Sequence, residues 1–165
     1  MKILVIDDCK NHQDAAKAQL SGHETTVVGS YDDGCMLLNK KHEFEIVLVD
    51  LLMPPSDWWQ RKGFTKGDMP FGIFLALLAA KNGAKYVAVF TDSNHHDHPA
   101  SACLDDFNEH ETRPTSFTVE GATVLFCNNR NWVNHFRPDN LAEKADSGPS
   151  VRAKNWHKVF EYLTA

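Results

Sequence analysis

The chain has 165 residues, 42% hydrophobic and 24% charged, with a formal net charge of −5. This is enough for one domain with a real core, and the composition is ordinary for a soluble globular protein. The acidic balance weighs against a general nucleic-acid binder, which needs a basic face.

No apolar stretch is long enough to span a bilayer; the longest, 71–80, reads as a buried helix. The N-terminus enters a strand pattern directly, without a signal-peptide pattern. A cytoplasmic protein without membrane or nucleic-acid partners is therefore expected. Cys9, Cys35, Cys103 and Cys127 form no CxxC pair and are expected as free thiols.

Lys2-Ile3-Leu4-Val5-Ile6 reads as a first strand, running into Asp7-Asp8. A helix is expected over 11–20, with Asn11 as its cap and Ala15, Ala16, Ala18 and Leu20 as its apolar face. A β-branched strand follows over 25–29. Ser30, with Asp32 and Asp33, opens a second helix carried by Met36, Leu37 and Leu38. The third strand covers 44–50 and ends in Ile46-Val47-Leu48-Val49-Asp50.

After Leu51-Leu52-Met53-Pro54-Pro55, a polar loop over 56–69 with Trp58, Trp59 and Phe64 reads as an insertion. A third helix is expected from 70 to 80, apolar almost all round and stopped at Asn82-Gly83. The fourth strand, 86–90, ends at Thr91-Asp92. Residues 93–120 give no clear pattern beyond a short helix within 99–107 and a polar loop through Pro114. The fifth strand is expected at 122–127. A second inserted loop covers 128–149, with Trp132 and Phe136 assigned to packing beneath it. A final helix is expected over 151–163, with Val151, Trp156, Val159, Phe160 and Leu163 at helical spacing. Alternating strands and helices predict a single domain over 1–165, a three-layer α/β sandwich with a parallel sheet.

The first and third strands carry the most informative feature. Both are short, apolar on both faces and end in aspartate, as fully buried strands would. Carboxylates there lie at the C-terminal edge of the sheet, where open α/β sheets bind ligands. If the strands are neighbours, Asp7, Asp8 and Asp50 converge in one pocket. Like charges so close are strained unless a cation joins them, and oxygen ligands suit Mg²⁺.

The ordered blocks Ile3-Leu4-Val5-Ile6-Asp7-Asp8, Ile46-Val47-Leu48-Val49-Asp50-Leu51-Leu52-Met53-Pro54 and Val87-Ala88-Val89-Phe90-Thr91 resemble a receiver domain of bacterial two-component response regulators. The resemblance is close over 1–55 and looser over 70–92 and 122–163. It implies a five-stranded parallel sheet of flavodoxin-like topology, strand order 2-1-3-4-5. It further implies that Asp50 accepts a phosphoryl group. Asp8, supported by Asp7, would hold Mg²⁺ with Asp50 and the backbone carbonyl of Leu52, and Thr91 would hydrogen-bond the phosphoryl group. A histidine kinase or phosphotransfer protein would be the donor, and a further protein the target. No enzymatic activity is expected beyond self-phosphorylation and dephosphorylation at Asp50. Receivers also carry a lysine at the end of the fifth strand; here Asn128 stands there, and Arg130 is the nearest cation. Asp92 adds a carboxylate where receivers have a small residue, expected to repel phosphate or recruit more metal.

Three functions follow. The first is a stand-alone phosphoryl-accepting receiver. The second is a phosphorylation-independent pseudo-receiver acting as an interaction module, favoured by the missing lysine and Asp92. The third is a metal-dependent hydrolase that adds His95-His96-Asp97-His98 to the carboxylates. That run otherwise reads as a solvated loop, the preferred reading. Trp58 and Trp59 offer a partner surface or, preferably, anchor the inserted loop.

Overall fold

The structure is a computed structural model and describes residues 1–63, 67–109, 113–128, 133–136 and 151–165. Phe64, Arg130 and Trp132 and the side chain of Phe136 lie outside what is described, and with them the expected packing of Trp132 and Phe136.

The elements in chain order are β1 (Lys2–Ile6), α1 (Lys10–Gln19), β2 (Glu24–Val28), α2 (Tyr31–Leu38), β3 (Ile46–Val49), α3 (Asp57–Arg61), α4 (Phe71–Lys81), β4 (Tyr86–Phe90), α5 (Pro99–Cys103) with a 3₁₀ turn at Asp105–Phe107, β5 (Asn108–Glu109), β6 (Arg113–Val119), β7 (Ala122–Cys127), β8 (Val133–Phe136), β9 (Val151–Lys154) and α6 (Trp156–Thr164). Local chemistry accounts for several boundaries. Ser30 caps α2 by accepting a hydrogen bond from the Asp33 N–H at 3.1 Å, as its sequence position suggested. Asn11 does not cap α1; the helix starts earlier, with Cys9 at the cap position. Gly83, at φ 122°, supplies the conformation that ends α4.

The main sheet has seven strands in the order β2-β1-β3-β4-β7-β6-β5. The first five in that order pair in parallel, while β6 and β5 add to the β7 edge in antiparallel fashion. The sheet is therefore mixed, which corrects the expected five-stranded, all-parallel sheet. The cause is the tight turn at Glu120-Gly121, where both residues have positive φ, 50° and 83°. That pair of conformations suits a two-residue hairpin, so Arg113–Val119, most of which gives no clear sequence pattern, folds back as β6 onto β7.

Two apolar clusters flank the sheet. Leu4, Ile6, Val47, Val49, Val87 and Val89 face α2 and α4. Ile3, Val5, Ile46, Leu48, Ala88 and Phe90 face α1 and α6. Alternate side chains of each strand go to opposite faces, giving three layers. Burying both faces of β1 and β3 explains why neither strand alternates polar and apolar residues. Among the described residues, no helix is long and apolar enough to cross a membrane.

The second departure is at the C-terminal end. Residues expected as the first turn of a helix, Val151–Lys154, form β9, which pairs with β8 in a separate two-stranded sheet. The helix begins only at Trp156, capped by Asn155.

Helix α4 comes unusually close to the end of β3. A Cβ on Gly72 would lie 2.1 Å from the Asp50 carbonyl oxygen, and the Gly72 N–H donates to the Leu51 carbonyl at 3.1 Å. Only glycine fits against backbone at that distance. Gly72→Ala is expected to destabilise the fold by about 2–3 kcal/mol through forced displacement of the helix. Urea denaturation measures this; an unchanged midpoint would contradict the close approach.

Candidate functional site

The C-terminal edge of the parallel strands gathers the acidic residues. β1 and β3 are adjacent, with Ile6 opposite Val49. The ladder carries on into the aspartates: the Asp50 N–H donates to the Ile6 carbonyl at 2.8 Å, and the Asp7 N–H to the Val28 carbonyl at 3.1 Å. This fixes the two carboxylates side by side. Ligand oxygens of Asp7, Asp8 and Asp50 lie within 4.8 Å of one another. Asp7 and Asp50 are buried and Asp8 is exposed at the mouth. The expected convergence is therefore present. Such an all-oxygen cluster fits a hard divalent cation by ligand type. It is the only group of three or more metal-ligating side chains of this kind among the described residues.

Lys154 completes the site. Its fully buried ammonium donates to Asp7 Oδ2 at 2.7 Å and to Asp50 Oδ1 at 2.6 Å. Phe90 and Trp156 close over it, with Nζ 5.6 Å and 5.3 Å from their rings. This cation comes from β9, beyond the inserted segment, where the sequence reading placed none. Asn128 does not take its place: its amide donates to Asp105 Oδ1 at 2.8 Å and to the Ser101 carbonyl at 3.2 Å. Sequence reading misses Lys154 because the spacing of apolar residues predicts helix from Val151 onward, not a strand. The available signal was Ala153-Lys154-Asn155, a lysine immediately before the capping residue of the last helix.

One ammonium does not balance the site. Burial pushes Asp50 up to about 7, against the pull of Lys154, with Asp7 and Asp8 adding to the rise. Asp8 is raised by loss of hydration first and by the Asp7 charge second, with Asp68 contributing. Lys154 stays charged, because the pull of Asp50 and Asp7 outweighs its burial and raises its pKa. The cluster therefore keeps an excess of negative charge that favours a proton or a cation.

The remaining expected residues lie as follows. Thr91 is buried at the end of β4, next to β3, and its hydroxyl accepts from the Ser93 N–H at 3.1 Å. Leu52 is buried two positions beyond Asp50. Asp92 is not among the clustered metal-ligating carboxylates; its Oδ2 faces His12 Nε2 at 3.4 Å. Burial opposes its charge, but the hydrogen bond to His12 and the charge of Lys154 hold it at about 2. The histidine run is engaged locally. His95 Nδ1 meets Asp105 Oδ2 at 2.6 Å, its Nε2 meets His96 Nε2 at 2.8 Å, and His98 Nδ1 accepts from the Ala100 N–H at 3.0 Å at the start of α5. These histidines join no group of three or more metal-ligating side chains among the described residues. In the first insertion, Met53 and Met69 pair backbone to backbone, at 3.1 and 2.9 Å, and pin its two ends. Trp58 is half-exposed, and Trp59 packs 6.4 Å from the Phe71 ring, partly anchoring the loop. The four cysteines form no disulfide.

No family model, curated protein or solved structure matches the chain.

Two measurements follow from the charge balance. Lys154→Met leaves two buried carboxylates without a counter-ion and is expected to cost about 3–5 kcal/mol at neutral pH. The loss should shrink at pH 5, where protonation of Asp50 relieves the repulsion; urea titrations at both pH values check this. In the wild type, a carboxyl with a native pKa above its unfolded value holds its proton more tightly when folded. Its contribution is therefore greatest below the unfolded pKa, near 3.8, and is lost as pH rises to about 7. Asp50→Asn is expected to be more stable than wild type at pH 8, by about 2–4 kcal/mol, with the advantage vanishing near pH 4.

Proposed function

We propose that the protein is a receiver of the two-component type that accepts a phosphoryl group on Asp50 and signals by binding a partner protein. The observation that carries this reading is the buried ammonium of Lys154 shared by Asp7 and Asp50. It supplies the cation that the sequence lacked at Asn128, beside the carboxylate proposed as nucleophile. The β2-β1-β3-β4-β7 order of the parallel strands also agrees with a flavodoxin-like arrangement, here extended by an antiparallel hairpin.

An Asp50 carboxylate oxygen attacks the phosphorus of a phosphohistidine or small acyl phosphate. The P–O bond to Asp50 forms, the bond to the donor breaks, and the donor leaves with its electron pair. Lys154 donates to the incoming oxygens while holding Asp50 in line, and Thr91 offers its hydroxyl to the phosphoryl group. Asp8, Asp7 and Asp50, with the Leu52 carbonyl, would hold Mg²⁺, which neutralises charge on the transferring oxygens when bound. The new dianion competes with Asp7 for Lys154, and this redistribution is the proposed switch. The donor is proposed to be a histidine kinase or phosphotransfer protein.

Incubation with Mg²⁺ and acetyl phosphate, followed by intact mass measurement, is expected to reveal one phosphoryl adduct. It should disappear in Asp50→Asn and without Mg²⁺. Absence of the adduct from the wild type would overturn the reading in favour of a phosphorylation-independent interaction module.

A further inference from the structure

We infer that His12 is a positioning residue for Lys154, fixing through the lysine backbone where the ammonium stands between Asp7 and Asp50. The inference rests on the proposed role of Asp50 as phosphoryl acceptor and concerns how its lysine is held.

Lys154 is on β9, which pairs with β8 and has no place in the main sheet. Its attachment to the domain runs through α1. The Lys154 N–H donates to His12 Nδ1 at 3.3 Å, and the Trp156 indole N–H donates to the His12 carbonyl at 2.9 Å. Gln19 holds the other side: its amide donates to the Lys154 carbonyl at 3.2 Å, and its oxygen accepts from the His157 N–H at 3.2 Å. A lysine on a strand of the main sheet would take its position from that sheet. Lys154, opposite Val133 in the small sheet, is joined to the domain by these side-chain contacts.

The tautomer of His12 follows from its partners. A backbone N–H can only donate, so Nδ1 facing Lys154 carries the lone pair and the ring hydrogen sits on Nε2. Nε2 faces Asp92 Oδ2, an acceptor, at 3.4 Å. The imidazole, 5% exposed, thus links the end of β4 to the backbone of β9. Asp92 thereby gains a role other than repelling phosphate: it orients the ring that holds the lysine. The charged groups acting on Asp92 besides His12 are Lys154 and Arg152, both on β9.

Placement matters because an ammonium on a flexible stem acts as a point charge whose position depends on where its backbone is held. A misplacement of about 1 Å can cost on the order of a hundredfold in rate.

The test compares His12→Leu, which removes both ring partners, with His12→Asn, whose amide oxygen can replace Nδ1 as acceptor for the Lys154 N–H. Three quantities are read: the rate of adduct formation from acetyl phosphate, the Mg²⁺ dissociation constant by calorimetry, and hydrogen exchange at the Lys154 amide. His12→Leu is expected to lose about tenfold or more in phosphorylation rate. It should bind Mg²⁺ at least as tightly as wild type, because a loosened Lys154 competes less for Asp7 and Asp50. Its Lys154 amide should exchange faster. His12→Asn is expected to recover most of the rate and of the protection. Equal rates in His12→Leu and wild type would overturn the inference. So would equal impairment in both variants, or parallel loss of Mg²⁺ binding and rate, the mark of general damage to the site. If the wild type takes no phosphoryl group, the phosphoacceptor reading fails on its own account. Exchange at the Lys154 amide then decides the positioning role: faster in His12→Leu alone supports it, and no change overturns it.

Discussion

One ammonium between two carboxylates organises this molecule. Lys154, Asp7 and Asp50 are all buried, and moving such groups out of water costs several kcal/mol each unless they meet at short range. Contacts of 2.6 and 2.7 Å meet that condition and join the ends of β1, β3 and β9, which are far apart in sequence. Separated from its partners, any of the three would be an uncompensated buried charge. The pairing therefore specifies where the C-terminal strand must dock.

The surroundings keep that arrangement dry and rigid. Trp156 and Phe90 form an edge-on pair beside the ammonium, with ring centroids 5.6 Å apart. On the opposite face of the sheet, Gly72 lets α4 press against the peptide after Asp50. The nucleophilic carboxylate of the proposed reaction is thus set in backbone held from two sides, while Asp8 remains at the open mouth. Asp8 is exposed at the edge of the cluster and Lys154 is fully buried behind it.

The negative excess at the cluster gives the site its bias. Three carboxylates face one ammonium, so Asp50 holds its proton to about 7 and binding of a divalent cation relieves the same strain. Asp92 is not one of the clustered ligand carboxylates; His12 engages it, and it also acts on the Lys154 ammonium from the end of β4. Its pairing with a ring that also holds β9 couples the β4 edge to the lysine. That coupling joins the strand end bearing Thr91 to the segment bearing Lys154.

By itself the sequence determined β1 and β4 to the residue and β3 to within two residues, because strands buried on both faces must be short, apolar and β-branched. It also determined that Asp7, Asp8 and Asp50 share a pocket, since these carboxylates follow directly on strands whose adjacency the resemblance implied. The capping of α2 by Ser30 was equally legible, being a local hydrogen bond. What only the tertiary structure decided was long-range. The hairpin of β6 on β7 depends on a turn whose positive φ values carry a weak sequence signal at Glu120. The assignment of Val151–Lys154 to a strand depends on pairing with β8 and on the hydrogen bonds from α1, and no local periodicity encodes either. Lys154 was invisible as a site residue for that reason: a buried charge is chosen by the partners it meets in space, and these lie at the other end of the chain.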